Sequence, residues 1–100
     1  MSTELFENAS KAAKYLKSLS NPYRLAVLCS LIEGEKNVSE LQENIDISQS
    51  LLSQNLAYLK EHSFVDCRRD GKKMYYYIKD ANVIRIIGLL HSMFCNINKN

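Results

Sequence analysis

Apolar residues recur at helical spacing through the first two-thirds of this chain and at a spacing of two in the hairpin that follows. Leu5, Phe6, Ala9, Ala12, Ala13 and Leu16 place an amphipathic helix over 4–18. A second helix is predicted from Pro22 to about Glu33. Asn21 supplies its cap, Pro22 suits the first helical position, and Leu25, Leu28, Cys29 and Ile32 share a face. Gly34 ends it. Ser39 to Gln42 reads as a capping box, S-x-x-Q, that opens a short helix to about Ile45 with Leu41 and Ile45 inward. Asp46-Ile47 makes a tight turn. Ser48 then caps a fourth helix over 49–61, with Leu52, Leu56 and Leu59 on its inner side.

After Ser63 the period is two. Phe64 to Arg69 predicts a strand, Asp70-Gly71 a turn extended by Lys72-Lys73, and Met74 to Lys79 a return strand carried by Tyr75-Tyr76-Tyr77. Asp80 starts a last helix over about 81–97. Its apolar residues, Val83, Ile84, Ile86, Ile87, Leu89, Leu90, Met93 and Phe94, cover more than one face. Such a helix must be buried on nearly all sides, and a chain of 100 residues has little core to offer it. The pattern therefore predicts a homodimer through the first and last helices. The expected fold class is mainly α with a β-hairpin wing, a winged helix-turn-helix in the order α-α-α-α-β-β-α, with 1–100 as a single domain.

Composition bounds the function. Apolar residues make up 46% and charged residues 24%, ordinary values for a globular domain. No apolar run approaches the roughly 20 residues of a membrane span. Met1 to Lys17 carries charges throughout, unlike a signal peptide, so a cytoplasmic location and no membrane partner are expected. The net charge of +2 is small, but residues 48–79 carry +3 and the rest −1. Cys29, Cys67 and Cys95 are an odd set without CxxC or zinc-finger spacing. No His or acid stands at a catalytic spacing from any of them. No catalytic residue, metal site or cofactor is expected.

In a helix-turn-helix the second helix enters the major groove with its N-terminal residues at base edges. Here it begins Ser48-Gln49-Ser50, and its polar face continues through Ser53, Gln54, Ala57 and Tyr58. Gln suits adenine edges, and Ser suits bases or phosphates. Arg68, Arg69, Lys72 and Lys73 on the hairpin can reach an adjacent groove or its phosphates. Alone, the hairpin is equally a solvated turn and the helix a polar surface. Together, in this order, they point to double-stranded DNA.

The resemblance is specific. Asn21-Pro22-x-Arg24-Leu25, Val38-Ser39-Glu40-Leu41, Ser48-Gln49-Ser50-x-x-Ser53-Gln54-x-Leu56, Leu59-Lys60-Glu61, Phe64-Val65 and Gly71-Lys72-x-x-Tyr75-Tyr76 resemble the ArsR family of bacterial winged-helix repressors. The resemblance implies a repressor or anti-repressor bound as a homodimer to an inverted-repeat operator. Where many members have His, this chain has Asn55, which can still hydrogen-bond to DNA. One metal site of the family is a Cys-x-Cys pair after Glu-Leu. Here Glu40-Leu41 is followed by Gln42-Glu43-Asn44. Another uses an Asp and a His with further ligands on the last helix, and Asp80 and His91 are present without the rest.

Cys29 within Leu28-Cys29-Ser30-Leu31 and Cys95 within His91-Ser92-Met93-Phe94-Cys95 resemble a thiol- and persulfide-sensing branch, that of the biofilm- and sulfide-linked repressors. This implies that the two face each other and that oxidants or reactive sulfur species join them through a disulfide or polysulfide bridge. From the residues alone, both read as buried core thiols. Cys67 is expected to be incidental. The alternatives are a metal-responsive or ligand-independent regulator of the same family, and a winged helix that binds protein.

Overall fold

Capping side chains set most of the element boundaries. A computed structural model describes residues 3–95. Helix α1 spans Thr3–Leu19 and α2 Pro22–Leu31, with the Asn21 side chain accepting from the N–H groups of Tyr23 and Arg24. Helix α3 (Val38–Asn44) starts two residues earlier than expected. Its capping box joins Asn37 to Glu40, each side chain bonding the other's N–H at 2.9 Å, so the expected Ser39/Gln42 box is corrected. Helix α4 runs Gln49–Glu61 behind the Ser48 cap. Helix α5 runs Ala81–Phe94, capped by Asp80 and ending on Cys95; residues 96–97 of the expected helix lie outside the described residues.

Three strands form one antiparallel sheet in the order β1-β3-β2: β1 (Lys36–Asn37), β2 (Val65–Asp70) and β3 (Lys73–Ile78). The short β1 corrects the expected order, which had only a hairpin. Two polar residues give no alternation to read. They pair through the register Lys36↔Tyr76 and Asn37↔Tyr75. In the wing, Asp70 pairs with Lys73, so the turn is Gly71-Lys72 rather than Asp70-Gly71. Gly71 adopts a φ of +67° and Lys72 does not follow it to positive φ, the type II′ pattern that needs Gly first.

One core joins these elements. Val27, Leu28 and Leu31 of α2 meet Leu41, Leu52, Leu56 and Leu59 of the helix-turn-helix, and Phe64, Val65, Val83 and Ile87 close it. The result is a winged helix-turn-helix. Two helices give the core only a few residues each. Only Ser18 and Leu19 of α1 are buried, with Tyr15 edge-on to Phe64 at 5.6 Å. Helix α5 buries only Val83 and Ile87, leaving Ile84, Leu89, Met93 and Phe94 exposed, so burial on nearly all sides is not met within one chain. Among the described residues, no helix is long and apolar enough to cross a membrane.

Candidate nucleic-acid interface and thiol hollow

Helix α4 has two unlike faces because its leucines recur at helical spacing. Leu52, Leu56 and Leu59 are buried, while Gln49, Ser50, Ser53 and Gln54 are exposed on the opposite side. The Ser48 hydroxyl accepts from the Leu51 N–H at 3.1 Å, which fixes the start of the helix. Two residues expected on the outward face are placed elsewhere. Asn55 is only 7% exposed, and its amide donates to the Leu51 carbonyl at 2.8 Å. It stands within the apolar stripe, three residues after Leu52 and one before Leu56, so it turns inward. Tyr58 is half-buried, with the Arg24 guanidinium 4.1 Å from its ring and the His62 ring stacked at 4.1 Å.

The wing presents Arg69, Lys72 and Lys73 to solvent. Arg68 is exposed but engaged. Its Nε donates to Glu35 Oε1 at 2.9 Å, a second N–H bonds Glu35 Oε2, and the guanidinium lies 5.1 Å from the centre of the Tyr75 ring. The hydrogen bond from Arg68 holds the Glu35 carboxyl below the usual carboxylate range. Glu35 carried no signal in the sequence. It reaches Arg68 because β1, which it precedes, pairs with β3. Lys72, Lys73 and Met74 share a hollow of about 260 Å³ with Asn37, Val38 and Ser39, so the wing tip lies against the start of α3.

The second site lies against the turn of the helix-turn-helix. Cys29, half-buried on α2, and Cys95, exposed at the end of α5, line one hollow of about 550 Å³. Ala26, Ser30, Glu33, Asn44, Ile45, Asp46 and His91 complete its walls. Burial first, then the neighbouring Cys95 and Glu33, push the Cys29 thiol up to about 11. Reduced Cys29 is therefore a neutral thiol at neutral pH. Asn44 Nδ2 donates to Ser30 Oγ at 2.7 Å, tying α3 to the residue after Cys29. Ile45 and Asp46 belong to the connection between α3 and α4. His91 Nε2 lies 3.6 Å from Glu33.

Among the described residues, no three His, Cys, Asp or Glu side chains converge as a metal site. Asp80 caps α5, accepting from the N–H groups of Asn82 and Val83. Cys67 lies apart on β2, opposite Tyr76, with Lys60 Nζ 3.4 Å from its sulfur.

Comparison with known proteins adds a family. Residues 21–66 match the family described as bacterial regulatory protein, arsR family. The chain is 38% identical to the biofilm growth-associated repressor of Xylella fastidiosa, over 96% of this chain and 84% of that one. It is 36% identical to the transcriptional activator HlyU of Vibrio cholerae, over 96% and 89%. The crystal structure of the transcriptional repressor BigR from Xylella fastidiosa matches with a TM-score of 0.87 at 37% identity, covering 97% of this chain and 96% of that one.

Proposed function

The chain belongs to the ArsR family of bacterial regulatory proteins, and from that premise we propose a regulator switched by its thiols. As a homodimer it binds an inverted-repeat operator, acting as a repressor or anti-repressor. It releases DNA when a reactive sulfur species or another oxidant links Cys29 to Cys95. One observation carries the reading: both cysteines line a hollow whose other wall is the turn of the helix-turn-helix. Relatives named as a repressor and as an activator are consistent with either sense of regulation.

Gln49, Ser50, Ser53 and Gln54 read the major groove from α4, with Ser48 at its start. Arg69, Lys72 and Lys73 contact phosphates from the wing. Asn55 and Arg68 act structurally, one inside the helix packing and the other as a brace to Glu35. The dimer is formed by the exposed apolar residues of α1 and α5, Leu5, Phe6, Leu16, Leu89, Met93 and Phe94. Residues 1–100 work as one DNA-binding domain.

Cys95 is the exposed thiol and meets the inducer first. Its thiolate attacks the S–S bond of a hydropolysulfide, forming a Cys95 persulfide and expelling the shorter sulfide chain. Cys29, giving up its proton, then attacks Cys95 Sγ itself, breaking the bond to the outer sulfur. The terminal sulfur leaves with a proton as hydrogen sulfide, and a Cys29–Cys95 disulfide remains. The bond holds the two α-carbons within about 7 Å of each other, so forming it locks the end of α5 to α2 across the hollow. Asn44, Ile45 and Asp46 are displaced with the wall they form, and α4 shifts with them.

The test is peptide mapping and DNA binding on one sample treated with sodium tetrasulfide. A Cys29–Cys95 link appearing together with loss of operator binding is expected, and Cys29→Ser should keep binding after treatment. A Cys29→Ser protein that still lets go of DNA would refute this assignment of the switch.

A further inference from the structure

A basic cleft lies between α1, the start of α2 and the end of α4, and neither the groove-facing residues nor the thiol hollow accounts for it. Lys11, Lys14, Lys17, Arg24 and His62 line about 730 Å³ of open space, and no carboxylate is among the lining residues. None of the three lysines, nor Arg24, is in an ion pair among the described residues. Arg68 on the wing, by contrast, is neutralised by Glu35.

Arg24 is fixed in place. Its Nε donates to the Ser18 carbonyl at 2.7 Å, and its guanidinium lies 4.1 Å from the centre of the Tyr58 ring. His62 stacks on Tyr58, and its Nδ1 lies 2.9 Å from the Tyr58 carbonyl. A carbonyl only accepts, so Nδ1 carries the proton and Nε2 is left to the cleft or to solvent. A planar guanidinium held against an aromatic ring, with its remaining N–H groups unpaired and lysines around it, matches the several oxygens of a phosphate better than a single carboxylate.

The position names the source of that phosphate. Gln54 and Tyr58 are four residues apart on α4, so the cleft begins where the outward face of that helix ends. Lys11 and Lys14 lie on the side of α1 opposite Leu5, Ala9, Ala12 and Leu16, so a dimer seated on the apolar side leaves them free.

We propose that the cleft formed by Lys11, Lys14, Lys17 and Arg24 is a phosphate-binding site that takes the DNA backbone beside the groove read by α4. This rests on the DNA-binding reading above. The cleft lengthens the footprint without reading sequence, because phosphates carry no sequence information directly.

The experiment measures operator affinity against salt for the full chain and for Lys11→Gln/Lys14→Gln, with melting curves to show that both fold. Loss of two phosphate contacts should lower the slope of log K against log salt by about 1.8, at about 0.9 per contact. Affinity should fall by the same factor for operator and scrambled DNA. A second arm titrates inorganic pyrophosphate. If the variant loses pyrophosphate binding but keeps the DNA slope, the site takes free phosphorylated ligands and the DNA-backbone assignment is overturned. If both slope and pyrophosphate binding are unchanged, the cleft is not a phosphate site. If wild type fails to bind DNA at all, the regulator reading fails and the backbone assignment with it, while the pyrophosphate arm still decides the chemistry.

Discussion

Helices α4 and α5 each pack one side into the core and turn the other outward, and the outward sides differ. On α4 it is Gln49, Ser50, Ser53 and Gln54. On α5 it is Ile84, Leu89, Met93 and Phe94, with 66% of Phe94 exposed. The first surface is at ease in water and needs no occupant until DNA arrives. The second keeps large apolar groups in water, an unfavourable state that a partner relieves at about 25 cal/mol for each Å² covered. The lesson is that the two surfaces answer to different forces. Assembly is driven by apolar area and is present throughout, while recognition rests on polar groups and phosphate charges that can be engaged or withdrawn. Cys95 sits at the end of the assembling helix, and Cys29 faces it from α2, which packs against both.

The sharpest way to break that comparison is to make the two outward faces alike. Leu89→Glu with Phe94→Glu should dissociate the dimer in sedimentation and cost roughly 10²–10⁴-fold in operator affinity through lost bivalency. A variant still dimeric would place the interface elsewhere. Ser53→Ala with Gln54→Ala should leave the dimer intact and remove base discrimination, about 1–3 kcal/mol for each good contact; competition between operator and scrambled DNA reads this directly. Lys72→Ala with Lys73→Ala should weaken binding to every sequence and lower the salt slope by about 1.8.

The thiols differ in the same sense, one exposed and one half-buried. Iodoacetamide at neutral pH should label Cys95 well before Cys29, whose labelling rises only as pH approaches about 11. The folded value is raised above the ordinary 9.0, so the stability tied to the protonated thiol is full below pH 9 and declines as pH climbs through about 11. The smallest effect is local. Ser63 holds a φ of +62° just after α4, a left-handed position that favours glycine. Relief of the left-handed penalty, about 1–2 kcal/mol, against glycine's entropy cost of about 0.5–1 kcal/mol, should make Ser63→Gly more stable in urea melts by up to about 1 kcal/mol and leave DNA binding untouched.

Much of this fold was legible because its signals are local. Asn21, Ser48 and Asp80 cap where the sequence indicated, and Leu52, Leu56 and Leu59 are buried as their spacing required. What was missed depends on contacts distant in sequence. Strand β1 is two polar residues whose partners lie some forty positions later. Glu35 is thirty-three residues from Arg68, and neither residue announces the pair. Asn55 was expected at the DNA only through the family resemblance, where many members have His, yet its place in the leucine stripe beside Leu56 turns it in. The basic cleft was hidden for the opposite reason. Lys11, Lys14 and Lys17 are largely offset in the sequence by Glu4 and Glu7, neither of which lines the cleft.

The most direct measurement is a fluorescence-anisotropy titration of the protein on DNA from upstream of its own gene, reduced and after tetrasulfide treatment, beside Cys29→Ser. The account predicts tight binding by reduced protein, weak binding after treatment, and no change in Cys29→Ser. Equal binding by reduced and treated wild-type protein would contradict it, leaving a DNA-binding regulator whose cysteines are not its switch.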